Sequence, residues 1–146
     1  MKKTALATLF FVVLQSFNIL QESPTKLILG KWKLTATSVP FATRSIINTV
    51  KKSSPETAEQ MEENLEAVSA MIGGIEMSYT ENGIYEITVP QQGTQTGKWE
   101  IANNGKTLYV TVEGRPQRRD SILELTASKL RIINGERKDT LEYEHP

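Results

Sequence analysis

The sequence lacks cysteine altogether, contains a single histidine and has no excess of either charge. Its 146 residues include 17 basic and 17 acidic side chains, and that length suits one domain. Without cysteine, disulfides, thiolate-bound metals and a thiol nucleophile are excluded. Because the histidine is His145, beside the C-terminus, we expect neither a His-based triad nor a multi-histidine metal site. The balanced charge lacks the basic footprint of a nucleic-acid-binding protein.

The first twenty residues have the pattern of a secretory signal peptide. Two lysines at the start precede an apolar run from Ala5 to Leu14, and such a run is too short to span a membrane comfortably. We predict that residues 1–20 are removed, with cleavage between Asn18 and Ser23. The protein is then exported to the periplasm or the outside of the cell and has no stable membrane insertion. An uncleaved N-terminal anchor is the alternative.

A helical insert is predicted at about residues 41–73. Pro55 interrupts any continuous helix there, and Ser54 is placed to cap a second one. From Ala58 to Ile72 apolar residues recur at intervals of three and four, which puts them on one helix face. Acidic residues cover much of the remaining surface, and we interpret them as a solvated face: Glu59, Glu62, Glu63 and Glu66.

The rest of residues 27–143 alternates between apolar and polar side chains, as a strand with one wet face does. Eight strand candidates result, one before the helices and seven after them. Asn-Gly pairs mark hairpin turns, and Pro90 to Gly97 is predicted to be a polar loop. Short connections favour antiparallel neighbours, and closure removes both exposed edges. We therefore predict an eight-stranded antiparallel up-and-down β-barrel with a helical insertion between strands 1 and 2.

Four short motifs carry a family resemblance. Residues 29–34, Leu-Gly-Lys-Trp-Lys-Leu, resemble the Gly-x-Trp motif that opens the first strand of lipocalins. Residues 79–85, 97–101 and 125–130 resemble secreted bacterial lipocalin-like domains. This resemblance spans roughly residues 27–143 and implies a barrel, and we assign residues 21–146 to that domain. Better-studied relatives bind small apolar molecules inside their barrels. The helical pair also resembles the lid of fatty-acid-binding proteins, whose barrels have ten strands.

Aromatic residues on the apolar side of the strands are candidate ligand contacts, since aromatic rings stack on apolar molecules. We assign this role to Trp32, Tyr79, Tyr85, Trp99 and Ile101. The competing interpretation is that they only fill the interior, and the resemblance implies that Trp32 closes the barrel floor. The full set expected to face inward is Trp32, Leu34, Met77, Tyr79, Tyr85, Ile87, Trp99, Ile101, Leu108, Val110, Leu123, Leu125, Leu130, Ile132, Leu141 and Tyr143.

The first helix of the insert carries candidate lid or portal residues. Phe41, Ile47 and Val50 can line an entrance under the lid, or they can form the helix's own packing face. Farther along the chain, three arginines and an aspartate cluster around a predicted turn. We interpret the cluster as a solvated rim rather than a grip for an anionic head group, since exposed ion pairs are weak. Its members are Arg115, Arg118, Arg119 and Asp120.

Two functional hypotheses follow. The leading one is a secreted, non-enzymatic protein that holds a small apolar or amphipathic ligand inside its barrel. The alternative is an interaction module with a packed interior, which recognises a protein or glycan through its loops and acidic helix. No spacing of residues places a general base against a nucleophile, so we do not expect an enzyme. We also expect no cofactor, metal or nucleic-acid partner.

Overall fold

A computed structural model of the chain describes residues 22–146, and the predicted signal peptide lies outside the described residues. Within this range eight strands form a closed barrel in which each is antiparallel to the next. The strands are β1 (Gly30–Leu34), β2 (Glu76–Tyr79), β3 (Ile84–Val89), β4 (Gly93–Ala102), β5 (Thr107–Val112), β6 (Arg118–Leu125), β7 (Lys129–Ile133) and β8 (Thr140–Glu144). The helices are α1 (Pro24–Leu27), α2 (Val39–Ser53), α3 (Pro55–Glu63) and α4 (Leu65–Gly73). The predicted architecture is confirmed.

The barrel closes where the first strand meets the last. Lys33 pairs with Glu144 and Leu34 pairs with Tyr143, in antiparallel register. This pairing leaves no strand edge open. In the closed barrel, side chains alternate along each strand between the interior and the surface. Trp32 and Trp99 are both buried, as the alternation predicts.

One end of the barrel is closed by α1 and by the last residues of the chain. The Trp32 indole Nε1 donates a hydrogen bond to the carbonyl of Ile28, the residue after α1, at 2.7 Å. His145 lies over the indole with 4.0 Å between ring centroids, and its Nδ1 donates to the Lys31 carbonyl at 2.6 Å. This closed end therefore has a tryptophan floor, as the family resemblance implies.

The opposite end is covered by α2, α3 and α4, which connect β1 to β2. Ala42 and Ile47 of α2 and Ile72 of α4 are buried. The Ser38 hydroxyl at the start of α2 accepts the Glu142 amide of β8 at 2.9 Å. This hydrogen bond attaches the helical cover to the barrel wall.

The acidic segment is two helices rather than one. Asn64, with φ −113° and ψ 35°, separates α3 from α4. The break interrupts the apolar stripe predicted from Ala58 to Ile72, although Ala58 and Ile72 at its ends are buried. Leu65, a member of that stripe, is 50% exposed.

Two further expectations about the strands are wrong. The register between β6 and β7 shifts between Ile122 and Glu124, and such a bulge reverses the alternation of side chains. Leu123, expected to face inward, is consequently 49% exposed. The segment from Pro90 to Gly97 is also not one loop, because β4 begins at Gly93 and pairs with β3 from there.

Gly97 offers a test of the barrel packing. A Cβ at this position would collide with the Thr111 carbonyl of the neighbouring strand β5. We expect Gly97→Ala to lower the free energy of unfolding by about 1–3 kcal/mol, the usual cost of overpacking. Urea denaturation measures this effect. The exposed neighbour Thr96 provides the control, since Thr96→Ala is expected to lower the free energy of unfolding by under about 1 kcal/mol. Equal losses for the two variants would contradict the close packing of Gly97 against β5.

Candidate functional site

A cavity of about 110 Å³ lies between the helical cover and the barrel interior. The helices contribute apolar side chains to it, and the barrel wall contributes more aliphatic residues. Two guanidinium groups and one phenol add polar groups to this apolar lining. The lining residues are Leu34, Ala42, Ile46, Ile72, Ile75, Met77, Ile87, Arg118, Asn134, Arg137, Leu141 and Tyr143.

Arg118, the first residue of β6, brings its charge into the mouth of the barrel. Its side chain is 20% exposed, and its Nε donates to Asp120 Oδ2 at 2.8 Å. The two residues lie on the same face because side chains alternate along a strand. The guanidinium also acts on the buried Tyr85 phenol, and within residues 22–146 its Nη groups make no hydrogen bond of regular geometry.

Asp120 is fully buried and joins two parts of the mouth. One carboxylate oxygen accepts from Arg118, and the other accepts the Gly135 amide of the β7–β8 loop (residues 134–139) at 2.9 Å. Gly135 approaches β6 so closely that a Cβ there would collide with the Arg119 backbone. Asp120 therefore holds this loop against the strand that carries Arg118.

The β7–β8 loop in turn positions Arg137, the second cation of the cavity. The Asn134 side-chain oxygen accepts the amides of Glu136 and Arg137, both at 3.0 Å. The Arg137 Nε donates to Asp139 Oδ2 at 3.4 Å. The pattern of Arg118 and Asp120 thus recurs, with each guanidinium held through Nε by the aspartate two residues later.

Three buried tyrosines lie close to the Arg118 charge. Burial raises the pKa of Tyr79, Tyr85 and Tyr143, and the positive charge of Arg118 opposes this rise at each of them. For Arg118 itself burial is the largest effect and acts to lower the pKa, but the combined attraction of Asp120 and of the three tyrosines raises the pKa above its usual value. At neutral pH the site therefore combines a charged arginine with neutral phenols. Among the described residues the Tyr85 hydroxyl has no hydrogen-bond partner.

The interpretation of the arginine cluster as a solvated rim is wrong for two of its members. Arg115 and Arg119 are exposed, whereas Arg118 and Asp120 point inward. The expectation followed the apolar residues of β6, and the bulge after Ile122 reverses their alternation. The sequence does contain a signal for this burial. Arg118 and Asp120 are two residues apart at the start of a strand, so their opposite charges share a face and can be buried together.

The five predicted ligand contacts lie away from this cavity, deeper in the barrel. Tyr79 contacts Tyr85 and Trp99, with ring centroids 5.3 and 5.8 Å apart. The Trp99 Nε1 donates to the Thr80 carbonyl at 3.0 Å. Trp32 forms the floor, and Ile101 is partly buried against the core. The structure thus brings the three aromatic residues together as packing, and the ligand-binding role of the five stays a prediction.

The predicted portal residues separate along α2. Phe41 is 65% exposed and lines a groove on the outer side of the helix. Ile47 is buried and borders a pocket between α2 and the following helices, and Val50 is partly buried. Their role at an entrance also stays a prediction.

Two kinds of feature are absent from residues 22–146. No three histidine, aspartate or glutamate side chains gather there as a metal site would require. No helix in the same range is long and apolar enough to cross a bilayer.

Comparison with known proteins assigns the fold to a family. The lipocalin-like domain family matches residues 28–132, which is more than half of the chain. This chain belongs to the lipocalin-like domain family. The crystal structure of a DUF4847 family protein from Bacteroides vulgatus ATCC 8482 has a similar fold, with a TM-score of 0.50 and 15% sequence identity. The match covers 82% of this chain and 94% of that one, and no curated protein matches the sequence.

Membership of the family bears on ligand binding and on enzymatic activity. The lipocalin-like barrel is a ligand-binding fold, and its members are generally non-enzymatic. At 15% identity the DUF4847 protein supports the fold alone.

The buried pair of Arg118 and Asp120 generates a prediction. Asp120→Asn preserves the side-chain shape but removes the counter-charge, and we expect it to lower the free energy of unfolding by about 3–5 kcal/mol. Chemical denaturation measures the loss, and adding Arg118→Met should recover part of it. The control is Glu142→Gln, which removes a half-exposed partner 3.8 Å from Lys129 and should cost under about 1 kcal/mol. Equal losses from the two single variants would contradict the importance of the buried pair.

Proposed function

We propose that this protein is an exported, non-enzymatic binding protein that takes a small amphipathic molecule in the helix-covered end of its barrel. The observation that supports this most directly is the cavity under α2 and α4. It combines an apolar lining with the side chains of Arg118 and Tyr143. Small-molecule sites typically show this composition of apolar walls with a few polar groups that orient the ligand.

The Nη groups of Arg118 supply the polar contact in this proposal. They meet an acceptor atom of the ligand in a site shielded from water, where charge-assisted hydrogen bonds are strong. Asp120 already balances the Arg118 charge. The acceptor that suits this position best is therefore a neutral oxygen, such as a hydroxyl or carbonyl group.

The size of the cavity limits the ligand. At about 110 Å³ it is smaller than the roughly 300–1,000 Å³ of typical small-molecule sites. A ligand of more than a few atoms enters only if α2 and α4 shift away from the barrel. The ligand is accordingly small, or the cover adapts to it.

A packed interior favours the alternative function. Apart from this cavity, the described part of the barrel is filled by side chains such as Trp32, Tyr79 and Tyr85. In the alternative, the protein recognises a protein or glycan through its loops and acidic helices. The exposed glutamates of α3 and α4 are the surface that it would use, and they include Glu59, Glu62 and Glu66.

A cavity-filling variant tests the leading proposal. Ala42→Leu adds three carbon atoms to the cavity side of α2, whereas Ala67→Leu adds the same atoms at an exposed position of α4. We expect organic extraction and mass spectrometry to recover one small molecule from the wild type and from Ala67→Leu, purified from the native source. The Ala42→Leu variant should lose it without losing stability. Recovery of the same amount from all three proteins would refute a ligand in this cavity, and recovery from none would favour the interaction module.

Export is tested by the mass of the protein in the periplasmic or extracellular fraction. We expect that mass to lack roughly the first 20 residues, because the basic start and apolar run are those of a cleaved signal peptide. A chain of full mass that sediments with membranes would instead indicate an uncleaved N-terminal anchor.

A further inference from the structure

A groove of about 530 Å³ runs along the outer side of α2, opposite the β7–β8 loop. Phe41, Arg44 and Lys52 line it from α2, at intervals that place them on one side of the helix. Arg137 and Asp139 line it from the loop. Its volume lies within the range of small-molecule sites.

The groove is positively charged. Asp139 is its one acidic lining residue, and this carboxylate is paired with Arg137 at 3.4 Å. Within residues 22–146, Arg44 and Lys52 make no ion pair, whereas the adjacent Lys51 pairs with Glu62 at 3.8 Å. Two cations are therefore left to attract an anion to this surface.

The groove adjoins the inner cavity at a single shared side chain. Arg137 lines both spaces, and its side chain is only 19% exposed. Its Nε is held by Asp139, which leaves the rest of the guanidinium to border the two spaces. A ligand that touches both spaces passes Arg137.

The distribution of charge decides which end of a ligand belongs in which space. In the cavity Arg118 is already neutralised by Asp120, so an acid placed there adds a buried negative charge, which is costly. In the groove Arg44 and Lys52 are exposed to water and, within residues 22–146, make no ion pair. The exposed ring of Phe41 adds apolar surface beside them.

We propose that the groove binds the acidic group of an amphipathic organic anion whose apolar part enters the cavity past Arg137. The proposal rests on the proposed function for the apolar part, but the acid site in the groove is tested separately. Arg44 and Lys52 attract and bind the acid in the groove, and Arg137 lies at the boundary that the apolar part passes. The ligand class is a monoanion with a short apolar chain.

The experiment compares an acid with an alcohol of the same chain length. Octanoate and octan-1-ol are each titrated into the protein by calorimetry. Changes in the backbone amide NMR chemical shifts of isotope-labelled protein then show where each probe binds. We expect both probes to shift residues around the cavity, such as Ile46 and Ile72, and octanoate alone to shift those of the groove. The octanoate affinity should also fall as salt rises, because exposed charges are screened.

The test variant is Arg44→Gln with Lys52→Gln. We expect it to weaken the binding of octanoate about tenfold, which is the combined effect of two exposed charge contacts. The affinity for octan-1-ol should stay unchanged. The matched control is Lys51→Gln with Lys106→Gln. It removes the same charge from α2 outside the groove and from the exposed β4–β5 turn at the closed end. This control should bind both probes as the wild type does.

The outcomes separate the two proposals. If the groove variant binds octanoate as tightly as the control does, while Ala42→Leu loses both probes, the acid site is wrong and the cavity function stands. If the groove variant weakens octanoate while Ala42→Leu binds both probes normally, the groove is an anion site by itself and the cavity function fails. A wild type that binds neither probe contradicts the acid site, whereas the cavity function is then decided by the extraction experiment with Ala42→Leu.

Discussion

The arrangement of the candidate site depends on the buried carboxylate of Asp120. Burying such a charge is costly unless hydrogen bonds and a counter-charge compensate for it. Here one oxygen accepts from Arg118 at 2.8 Å and the other accepts the Gly135 amide at 2.9 Å. A single side chain thus stabilises the cation inside the mouth and positions the loop that carries Arg137. Both guanidinium groups of the cavity owe their positions to it.

The two ends of the barrel differ because different residue types close them. At the α1 end the large rings of Trp32 and His145 stack, and the cluster of Tyr79, Tyr85 and Trp99 fills the space above. At the other end the cover consists of helices whose inner residues are small or aliphatic, such as Ala42 and Ile72. The large aromatic rings fill the α1 end, whereas the helices with small inner side chains leave a gap beneath them. The cavity therefore lies at the helical end.

The fold was largely predictable from the sequence, whereas the site was not. Alternation and turn residues are local signals, and they were sufficient for eight strands and closure. The bulge after Ile122 depends on pairing with β7, and no local pattern marks it. Arg118 and Asp120 were placed at the surface because charged residues are rarely buried unless they are paired. The cavity itself depends on how the helices settle on the barrel, which involves residues far apart in sequence.

The repeated arginine–aspartate arrangement explains how the mouth can hold two largely buried cations. In 118–120 and again in 137–139, the aspartate binds Nε of the arginine two residues earlier. An unpaired buried arginine would destabilise the protein by several kcal/mol, roughly the cost of breaking a buried pair. Because each aspartate occupies only the Nε side, the charge is balanced while the Nη groups are left to other acceptors. The lining of the cavity is therefore balanced in charge yet rich in hydrogen-bond donors.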